Sequence, residues 1–439
     1  MASNSMNIPG DIVHCIVEFL PSRKDVYRCT LVNHTFHDAS IPLLYRTIDI
    51  RMPLVRRRGD QVHVLNPFDT IAQKPDYAQY VQQILHCARH CSIERLATLR
   101  LCHNLRSFSW TDSTSLGDAD TVFGAYLDIL QEIHIAELHV KISSGISERM
   151  LARLMQFRGL SSLGLTSSHL PRADLDAWGA RVGPRLTALD FSISSEAGRR
   201  PQFLRHMTNL RSLRLDAPTS SIPAALSSLP HLTTLDVRYH AFVPTAAPPA
   251  LPLARLQHLV VHVIQGVAGL WDWIAILAPY SCTLRNLTIH NRAPQGDGAV
   301  PLGSVRWLAQ LHGGSLRQLF LYNLTVDSNG ERVLFTAFRE LRALSFMQQV
   351  HDLRTISDSV HFSRTLKTLM VQYPRGLLSN DSSGLNRIAE RWMNRNGGSA
   401  LTSVSFGPDI LKGKWVYSEQ RHQPVFEIHR DVDARSRWM

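Results

Sequence analysis

The densest group of side chains that could bind a metal lies between positions 86 and 103. It consists of three histidines and three cysteines: His86, Cys87, His90, Cys91, Cys102 and His103. Cys87 and Cys91 would share one face of a helix, and thiolate and imidazole groups are the ligands that Zn²⁺ prefers. However, no recognised zinc pattern has this spacing. We therefore predict buried thiols and surface histidines here, with no metal and no other cofactor.

The sequence motifs of common enzyme sites do not occur in the chain. We find no phosphate-binding P-loop, no glycine-rich dinucleotide fingerprint, no Gly-x-Ser-x-Gly and no His-Glu-x-x-His. Isolated serine, histidine and aspartate residues occur, as they do in any long chain. We therefore predict no catalytic residues and a non-enzymatic function.

Composition and charge narrow the class of protein further. The chain has 439 residues, 44% of them hydrophobic, and six cysteines, which we expect to be reduced thiols. No window approaches the run of about 18 apolar residues that spans a membrane, and the first residues do not resemble a signal peptide. We expect no membrane association and a cytoplasmic or nuclear location.

The formal net charge of +11 raises the possibility of nucleic-acid binding. Most of this charge is arginine scattered along the chain, and only Arg56, Arg57 and Arg58 form a run. Three residues make a weak nucleic-acid patch, and a solvated loop explains them better. We predict no nucleic-acid partner.

A spaced pattern of apolar residues, Leu-x-x-Leu-x-Leu with other apolar residues allowed, recurs from the end of the first quarter of the chain almost to its end. Successive copies begin 22 to 35 residues apart. Their first residues are Leu105, Ile135, Leu160, Leu186, Leu210, Leu232, Leu256, Leu284, Leu316, Leu341, Leu366 and Leu401. Such a long series at a near-constant period predicts a repeat protein.

Strand alternation explains the spacing, because side chains two residues apart point to the same face. The fourth and sixth residues of each repeat should point inward, and the third, fifth and seventh should lie on the other face. Segments between the predicted strands have helical periodicity: Ile146–Phe157, Leu270–Leu277, Val305–Leu311, Arg332–Phe338 and Leu385–Met393.

The repeat resembles the leucine-rich-repeat family, although the asparagine that follows the last leucine in that family is absent. The resemblance implies an α/β fold: a right-handed solenoid with a concave parallel β-sheet and helices on the convex side. Its function would be protein binding.

The first 46 residues predict three short helices. Ile12, Val13, Ile16, Phe19 and Leu20 are apolar at helical spacing, and Leu20-Pro21 should end the first helix. Ser22 then begins a second helix, and a third follows, with Pro42 inside it. So small a unit cannot bury all of these apolar side chains in its own core. Part of this surface should contact a partner.

This segment is similar to the F-box family. The matching residues are Ile8-Pro9 for the leading Leu-Pro, Asp11-Ile12-Val13 for Glu-Ile-Leu, Leu31-Val32-Asn33 for Leu-Val-Cys, Phe36 for a tryptophan, and the closing Leu44-Tyr45-Arg46. Ile8 and Phe36 are mild departures from the pattern. An F-box followed by leucine-rich repeats is a known pairing, and the run Leu105–Asp112 also resembles fungal members.

The resemblance implies a substrate-recognition subunit of an SCF-type, cullin-based E3 ubiquitin ligase. The F-box would bind the Skp-type adaptor, and the repeats would bind a protein substrate whose ubiquitination is carried out by other subunits. By motif position the adaptor contacts would be Ile8, Pro9, Ile12, Ile16, Leu31, Val32 and Phe36. Some of these, especially Ile16 and Leu31, could instead fill the helical core. The alternative function is a leucine-rich-repeat scaffold outside any ligase.

The predicted open face of the sheet has two different halves. Toward the N-terminus, charges alternate in sign between neighbouring repeats, as in Arg214 with Asp236 and Asp216 with Arg238, so they should pair with each other. Farther along, apolar and aromatic residues are accompanied by His258 and two other histidines. We predict substrate contacts at Val260, His262, His290, Phe320, Tyr322, Met347 and Met370, unless the C-terminal tail covers them.

These patterns divide the chain into four predicted regions. Residues 1–46 form the F-box-like unit, and 47–104 a linker or N-terminal cap of the solenoid. Residues 105–406 form about 12 irregular repeats, and 407–439 a C-terminal cap or tail.

Overall fold

A computed structural model describes most of the chain. The described residues are 8–51, 54–58, 61–87, 95–112, 119–171, 175–193, 202–216, 222, 226–240, 253–278, 283–293, 298–348, 353–372, 382–394, 400–406, 409–418 and 423–430. His90, Cys91 and Cys282 lie outside them. The chain divides into two compact units, Met1–Ala197 and Gly198–Met439.

Unit 1 begins with three helices: α1 (Gly10–Glu18), α2 (Arg23–Cys29) and α3 (His34–Arg46). Ser22 caps α2 by accepting a hydrogen bond from the Lys24 amide, and Asn33 caps α3 by accepting one from the Phe36 amide. The small core between the helices consists of Val13, Val17, Val26 and Ala39, with partly buried residues packed around it. The prediction of three short helices is confirmed.

The rest of unit 1 alternates strands with helices. The strands are β1 (Thr47–Asp49), β2 (Leu54–Arg58), β3 (Gln61–Leu65), β4 (Gln83–Cys87), β5 (Ser107–Asp112), β6 (Glu137–Ile142), β7 (Ser162–Ser167) and β8 (Ala188–Ile193). The α-helices are Pro67–Gln73, Leu96–Leu101, Ala119–Ile133, Glu148–Leu154 and Leu175–Val182, and the 3₁₀ helices are Pro75–Tyr80 and Gly183–Arg185. Strands β1, β4, β5, β6, β7 and β8 pair in parallel in that order, and β2 pairs with β3 as an antiparallel hairpin. The run Arg56–Arg58 belongs to this hairpin.

Unit 2 repeats the same alternation. Its strands are β9 (Ser212–Asp216), β10 (Thr234–Tyr239), β11 (His258–Val263), β12 (Asn286–Asn291), β13 (Gln318–Val326), β14 (Ala343–Gln348), β15 (Thr368–Gln372), β16 (Ser403–Phe406), β17 (Asp409–Ser418) and β18 (Gln423–Arg430). The α-helices are Leu270–Leu277, Leu302–His312, Ser328–Ala337, Leu353–Ser359 and Ser382–Asn394, and the 3₁₀ helices are Gln202–His206 and Val360–Phe362.

Strands β9 to β16 pair in parallel, each with the next along the chain. Strands β17 and β18 then add an antiparallel pair at the edge of β16. The described part of the C-terminal tail therefore extends the sheet edge rather than crossing the predicted substrate contacts.

The inward-facing positions of all twelve predicted repeats are buried. In β11, for example, Leu259 and Val261 are at most 1% exposed. Val260 and His262, which alternate with them along the strand, are half-buried. Leucines in the same position of neighbouring repeats lie side by side, as in the register pairs of Leu259 with Leu235 and Leu287. The fold is thus an α/β solenoid of the leucine-rich-repeat type with parallel strands and alternating helices, as the sequence predicts.

Side-chain caps begin several of the connecting helices. Ser147 accepts a hydrogen bond from the Met150 amide, and Asp327 accepts one from the Gly330 amide at 2.7 Å. The predicted segments lie on the helices Glu148–Leu154, Leu270–Leu277, Leu302–His312, Ser328–Ala337 and Ser382–Asn394. The ends of Leu270–Leu277 are as predicted, and those of the other four are shifted. Within the described residues, no helix is long and apolar enough to cross a membrane.

The histidine and cysteine segment takes part in the core of unit 1. Cys87 and Cys102 are buried thiols, as predicted, and burial raises the pKa of Cys102 to about 12. The prediction of surface histidines holds for His103 but is wrong for His86, which is fully buried. Its ring stacks on Trp110 at a centroid distance of 5.3 Å, because strand β4 joins the sheet beside β5.

Substitutions at two adjacent residues of β11 test which face of the strand contributes more to the free energy of unfolding. We expect Leu259→Ala to lower the free energy of unfolding by about 3 kcal/mol, because it leaves a cavity in the core, and Val260→Ala to lower it by about 1 kcal/mol or less. Urea denaturation of the full chain, followed by circular dichroism, measures both. Equal losses would contradict the assignment of faces.

Candidate functional site

The helices of unit 1 expose a large apolar surface. We call it the apolar helix surface, and its members are Ile8, Ile12, Ile16, Phe19, Tyr27, Leu31 and Val32. Their exposed fractions range from 44% for Ile16 to 88% for Phe19. Among the described residues, the only other large hydrophobic side chain exposed to this degree is Phe362. Exposed apolar residues are therefore concentrated on this small unit.

Helical spacing places two of these residues on one side of α1. Ile12 and Ile16 are four residues apart, and this exposed side lies about 100° around the helix from the buried Val13 and Val17. Ile8 lies just before the helix begins. Leu31 and Val32 occupy the turn between α2 and α3, where the Asn33 cap fixes the entry of the chain into α3. The guanidinium of Arg23 donates to the carbonyl of Leu44 at 2.7 Å and ties the start of α2 to the end of α3.

The structure separates the predicted adaptor contacts into two groups. Ile8, Pro9, Ile12, Ile16, Leu31 and Val32 are exposed, so Ile16 and Leu31 do not fill the helical core. Phe36 is only half-buried and packs against that core.

Two exposed aromatic residues, Phe19 and Tyr27, were not among the predicted contacts. Phe19 lies three residues after Ile16, so the helical period alone could have identified it.

A second group of predicted residues lies on the open face of unit 2. The rings of His262, His290 and Tyr322 stack in a row across β11, β12 and β13, with centroid distances of 4.8 and 4.6 Å and nearly parallel planes. Phe320 lies beside Tyr322 at 6.0 Å. We call these four residues the ring row. Two of the three histidines, His262 and His290, are therefore part of the aromatic patch itself.

Charged residues lie next to the ring row on the two preceding strands, β10 and β9. The carboxylate of Asp236 lies 3.1 Å from Nε2 of His262 and 3.5 Å from Nε of Arg214. Arg238 pairs with Asp216 in the next position of the same strands. The expected mutual pairing of these charges is confirmed for both pairs.

The surroundings of the ring row shift the pKa values of two of its members and of the nearby His258. Burial, aided by His262 and Arg292 and opposed by Asp236, lowers the pKa of His290 from 6.5 to about 4. Burial also raises the pKa of Tyr322, and burial together with Arg285 lowers that of His258. His290 and Tyr322 are therefore both uncharged at pH 7.

A bulge in β13 separates the predicted contact Met347 from the ring row. The register with β14 shifts between Phe320 and Thr325, so Met347 lies opposite Thr325 and not opposite Tyr322. At the bulge, Asn323 has a positive φ of 56°, and its amide donates to the side-chain oxygen of Gln372, two strands away, at 3.1 Å.

Side-chain hydrogen bonds hold the bulge on both sides. Asn291 and Asn323 exchange hydrogen bonds between each side-chain amide and the other's backbone carbonyl, at 3.2 and 3.0 Å. Gln372 in turn donates to Ser345 at 2.8 Å.

Val260 and Met370 lie on the open face but not in the ring row. Val260 is opposite Thr288, and Met370 is opposite Ser345. Both are half-buried. The structure therefore brings His262, His290, Tyr322 and Phe320 together and leaves Val260, Met347 and Met370 around them.

This arrangement is suited to binding. Asp236 and His262 form the kind of pair that acts as a general base. However, Nδ1 of His262 is buried and has no hydrogen-bond partner within the described part of the chain, so it does not face a substrate. His290 is covered on one ring face by His262 and on the other by Tyr322, so only its edge can contact a ligand.

Comparison with known proteins does not identify a family for this chain. No protein-family model matches the chain, and no curated protein matches it. Among solved structures, it is similar to the crystal structure of an internalin from Listeria monocytogenes, at 12% identity and a TM-score of 0.37. The match covers 79% of this chain and 84% of the internalin. This likeness is too low to carry an argument, and the repeat architecture rests on the strands and leucines described above.

The lowered pKa of His290 predicts a pH dependence of stability. The unfolded chain takes up a proton on this residue near pH 6.5, whereas the folded chain does so near pH 4. Stability is therefore lost as the pH falls from about 7 towards 4. We expect His290→Phe, which keeps a ring but cannot be protonated, to lose less melting temperature than the wild type over this range. Equal losses would contradict the assignment, and measurements at pH 8 control for the change of ring.

Proposed function

We propose that the protein is a non-catalytic binding protein with two separate contact surfaces. The apolar helix surface of unit 1 docks onto one protein, and the open face of unit 2 holds another. The observation that carries the first half of this proposal is the exposure of seven large apolar side chains on and beside three short helices. Exposed apolar patches of this kind mark protein contacts.

Burial of these residues by a partner would be favourable. Transfer of a large apolar side chain out of water contributes about 1.5 to 3 kcal/mol, and several act together here. Phe19, Leu31 and Val32 are each more than 60% exposed, so a partner can cover most of their surface. Side-chain caps hold the starts of α2 and α3, and the small core holds all three helices together, so docking requires little rearrangement.

The partner that we propose for this surface is the Skp-type adaptor of an SCF-type ubiquitin ligase. The F-box resemblance suggests it, and the exposure of Ile8, Pro9, Ile12, Ile16, Leu31 and Val32 supports it, because an adaptor could reach all six. In this role the protein would bring a substrate close to the ubiquitin-transferring subunits, and its contribution would be proximity.

The substrate surface that we propose is the ring row with its neighbours Val260, Met347 and Met370. Aromatic residues are enriched at the centres of protein interfaces. Charged groups at Asp236, Arg214 and Arg238 border the row and could orient a partner.

The second candidate function is a leucine-rich-repeat scaffold that belongs to no ligase. The absence of any matching family model favours it, because a strong F-box would be expected to match one. Under this alternative the apolar helix surface binds some other protein. Adaptor binding separates the two functions.

Purified adaptor should bind the wild-type chain, and its affinity should depend on some residues of α1 and not on others. We expect Ile12→Asp to weaken binding at least about tenfold, because it places a charge in the contact, and Pro9→Ala with Ile12→Asp to abolish it. Isothermal titration calorimetry measures the affinities.

His14→Asp is the matched control for the adaptor experiment, because it introduces the same charge on the same helix at another exposed position. It should bind within about twofold of the wild type. Failure of the wild type to bind would eliminate the ligase function and leave the scaffold.

Proximity labelling in the source cell tests the second surface. We expect Phe320→Ser with Tyr322→Ser to lose the partners that bind the ring row, because the double change removes half of its rings. The adaptor should still be labelled, since its site lies on the helices of unit 1. An unchanged set of labelled proteins would show that the ring row is not a contact surface.

A further inference from the structure

A row of basic side chains lies at the edge of unit 2, where strands β12 to β15 begin. It is formed by the residue after the first leucine of four successive repeats: Arg285, Arg317, Arg342 and Lys367. We call these four residues the basic ridge. The amides of Arg317, Arg342 and Lys367 donate to the carbonyls of Arg285, Arg317 and Arg342 at 2.7, 2.7 and 2.8 Å. The four residues are therefore direct neighbours.

The basic ridge forms no ion pair among the described residues. None of its four members pairs with a carboxylate there, and the exposed Glu340, two residues before Arg342, is the nearest acidic residue in the sequence to Arg342. Arg285, Arg342 and Lys367 are exposed, and Arg317 is half-buried. The positive charge of Arg285 also contributes to the lowered pKa of His258.

Two further cations extend the charge. Arg339 and Arg364 are exposed in the turns that lead into β14 and β15, three residues before Arg342 and Lys367. Like charges on neighbouring strands repel each other and destabilise a sheet. The fold therefore gains no stability from this row. Binding of an anionic partner would explain why the row is present.

We propose that the basic ridge binds an acidic helix of a protein partner. Neighbouring strands lie about 4.8 Å apart, so the four cations span about 14 Å. Carboxylates at positions i, i+3, i+7 and i+10 lie on one side of a helix and span about 15 Å, because each residue rises about 1.5 Å. Four carboxylates on one side of an extended strand would span about 20 Å and would not match.

The residues beside the basic ridge favour a protein ligand over a nucleic acid. The next position of each repeat holds Asn286, Gln318, Ala343 or Thr368. None of these side chains is aromatic, whereas single-stranded nucleic acids are bound by aromatic residues on which the bases stack. The side chains of Asn286, Gln318 and Thr368 can instead donate hydrogen bonds to carboxylates, and arginine pairs with a carboxylate through two nitrogens.

This proposal rests on the proposed function only in assuming that the ligand is a protein. The basic ridge shares no residue with the apolar helix surface or the ring row. Adaptor binding should therefore be unchanged by substitutions in the ridge, so the failure of either proposal can be recognised independently of the other.

Fluorescence anisotropy with the full chain tests the basic ridge. The probe is a labelled helical peptide with glutamates at i, i+3, i+7 and i+10, and the reference peptide has the same composition with its glutamates spread around the helix. The test variant is Arg317→Glu with Arg342→Glu. The matched control is Arg106→Glu with Arg211→Glu, because both residues are exposed and occupy the same repeat position. The neighbours of these control residues, Ala136 and Thr233, carry no charge.

We expect the wild type to bind the one-sided peptide about tenfold more tightly than the reference peptide. The ridge variant should lose about tenfold in affinity, and the control variant less than about twofold. The melting temperature of the ridge variant should equal or exceed that of the wild type, because the change relieves repulsion between neighbouring cations.

Three results would overturn the proposal. The one-sided peptide could fail to bind, or the ridge and control variants could lose affinity equally, which would indicate an effect of net charge alone. A single-stranded oligouridine of the same charge could also bind more tightly than the peptide and depend on the same residues, which would identify the ridge as a nucleic-acid site.

Discussion

No repeat of this protein can bury its own leucines, and every other feature of the solenoid depends on that constraint. A strand such as β11 offers Leu259 and Val261 to one side, and these side chains leave water only because the neighbouring repeats and helices cover them. The parallel hydrogen-bond ladder holds equivalent leucines side by side, so that register errors would expose a complete row. The inward positions are consequently fixed, and the outward positions are free to vary.

The same ladder determines what the outward side chains can do. Parallel rings stack well at the spacing of neighbouring strands, about 4.8 Å, and the centroid distances from His262 to His290 and from His290 to Tyr322 are 4.8 and 4.6 Å. Opposite charges one strand apart form ion pairs, as Arg214 does with Asp236. Like charges one strand apart cannot neutralise each other, so the positive charges of the basic ridge add up along its length. One geometric spacing thus produces three surfaces of different chemistry.

The N-terminal helices follow a different constraint, that of size. The shared core of these three short helices contains four buried apolar residues, and several of the remaining apolar side chains face outward. In α1 the division is clean, with Val13 and Val17 inside and Ile12 and Ile16 outside. A stable isolated domain would place polar residues at the outer positions. The apolar outer positions of this unit support the docking function that we propose.

The sequence by itself determined the repeat, the buried positions and the three N-terminal helices, because strand and helix periodicities are local properties of neighbouring residues. It did not determine that His86 is buried, because that depends on β4 pairing beside β5. Nor did it reveal that a bulge moves Met347 away from Tyr322, or that histidines join a stack. Phe36 packing inward while Ile16 faces outward also depends on contacts between helices. Each of these outcomes arises between residues that are distant in sequence, where register, bulges and side-chain packing decide the neighbours, and only the tertiary structure specifies them.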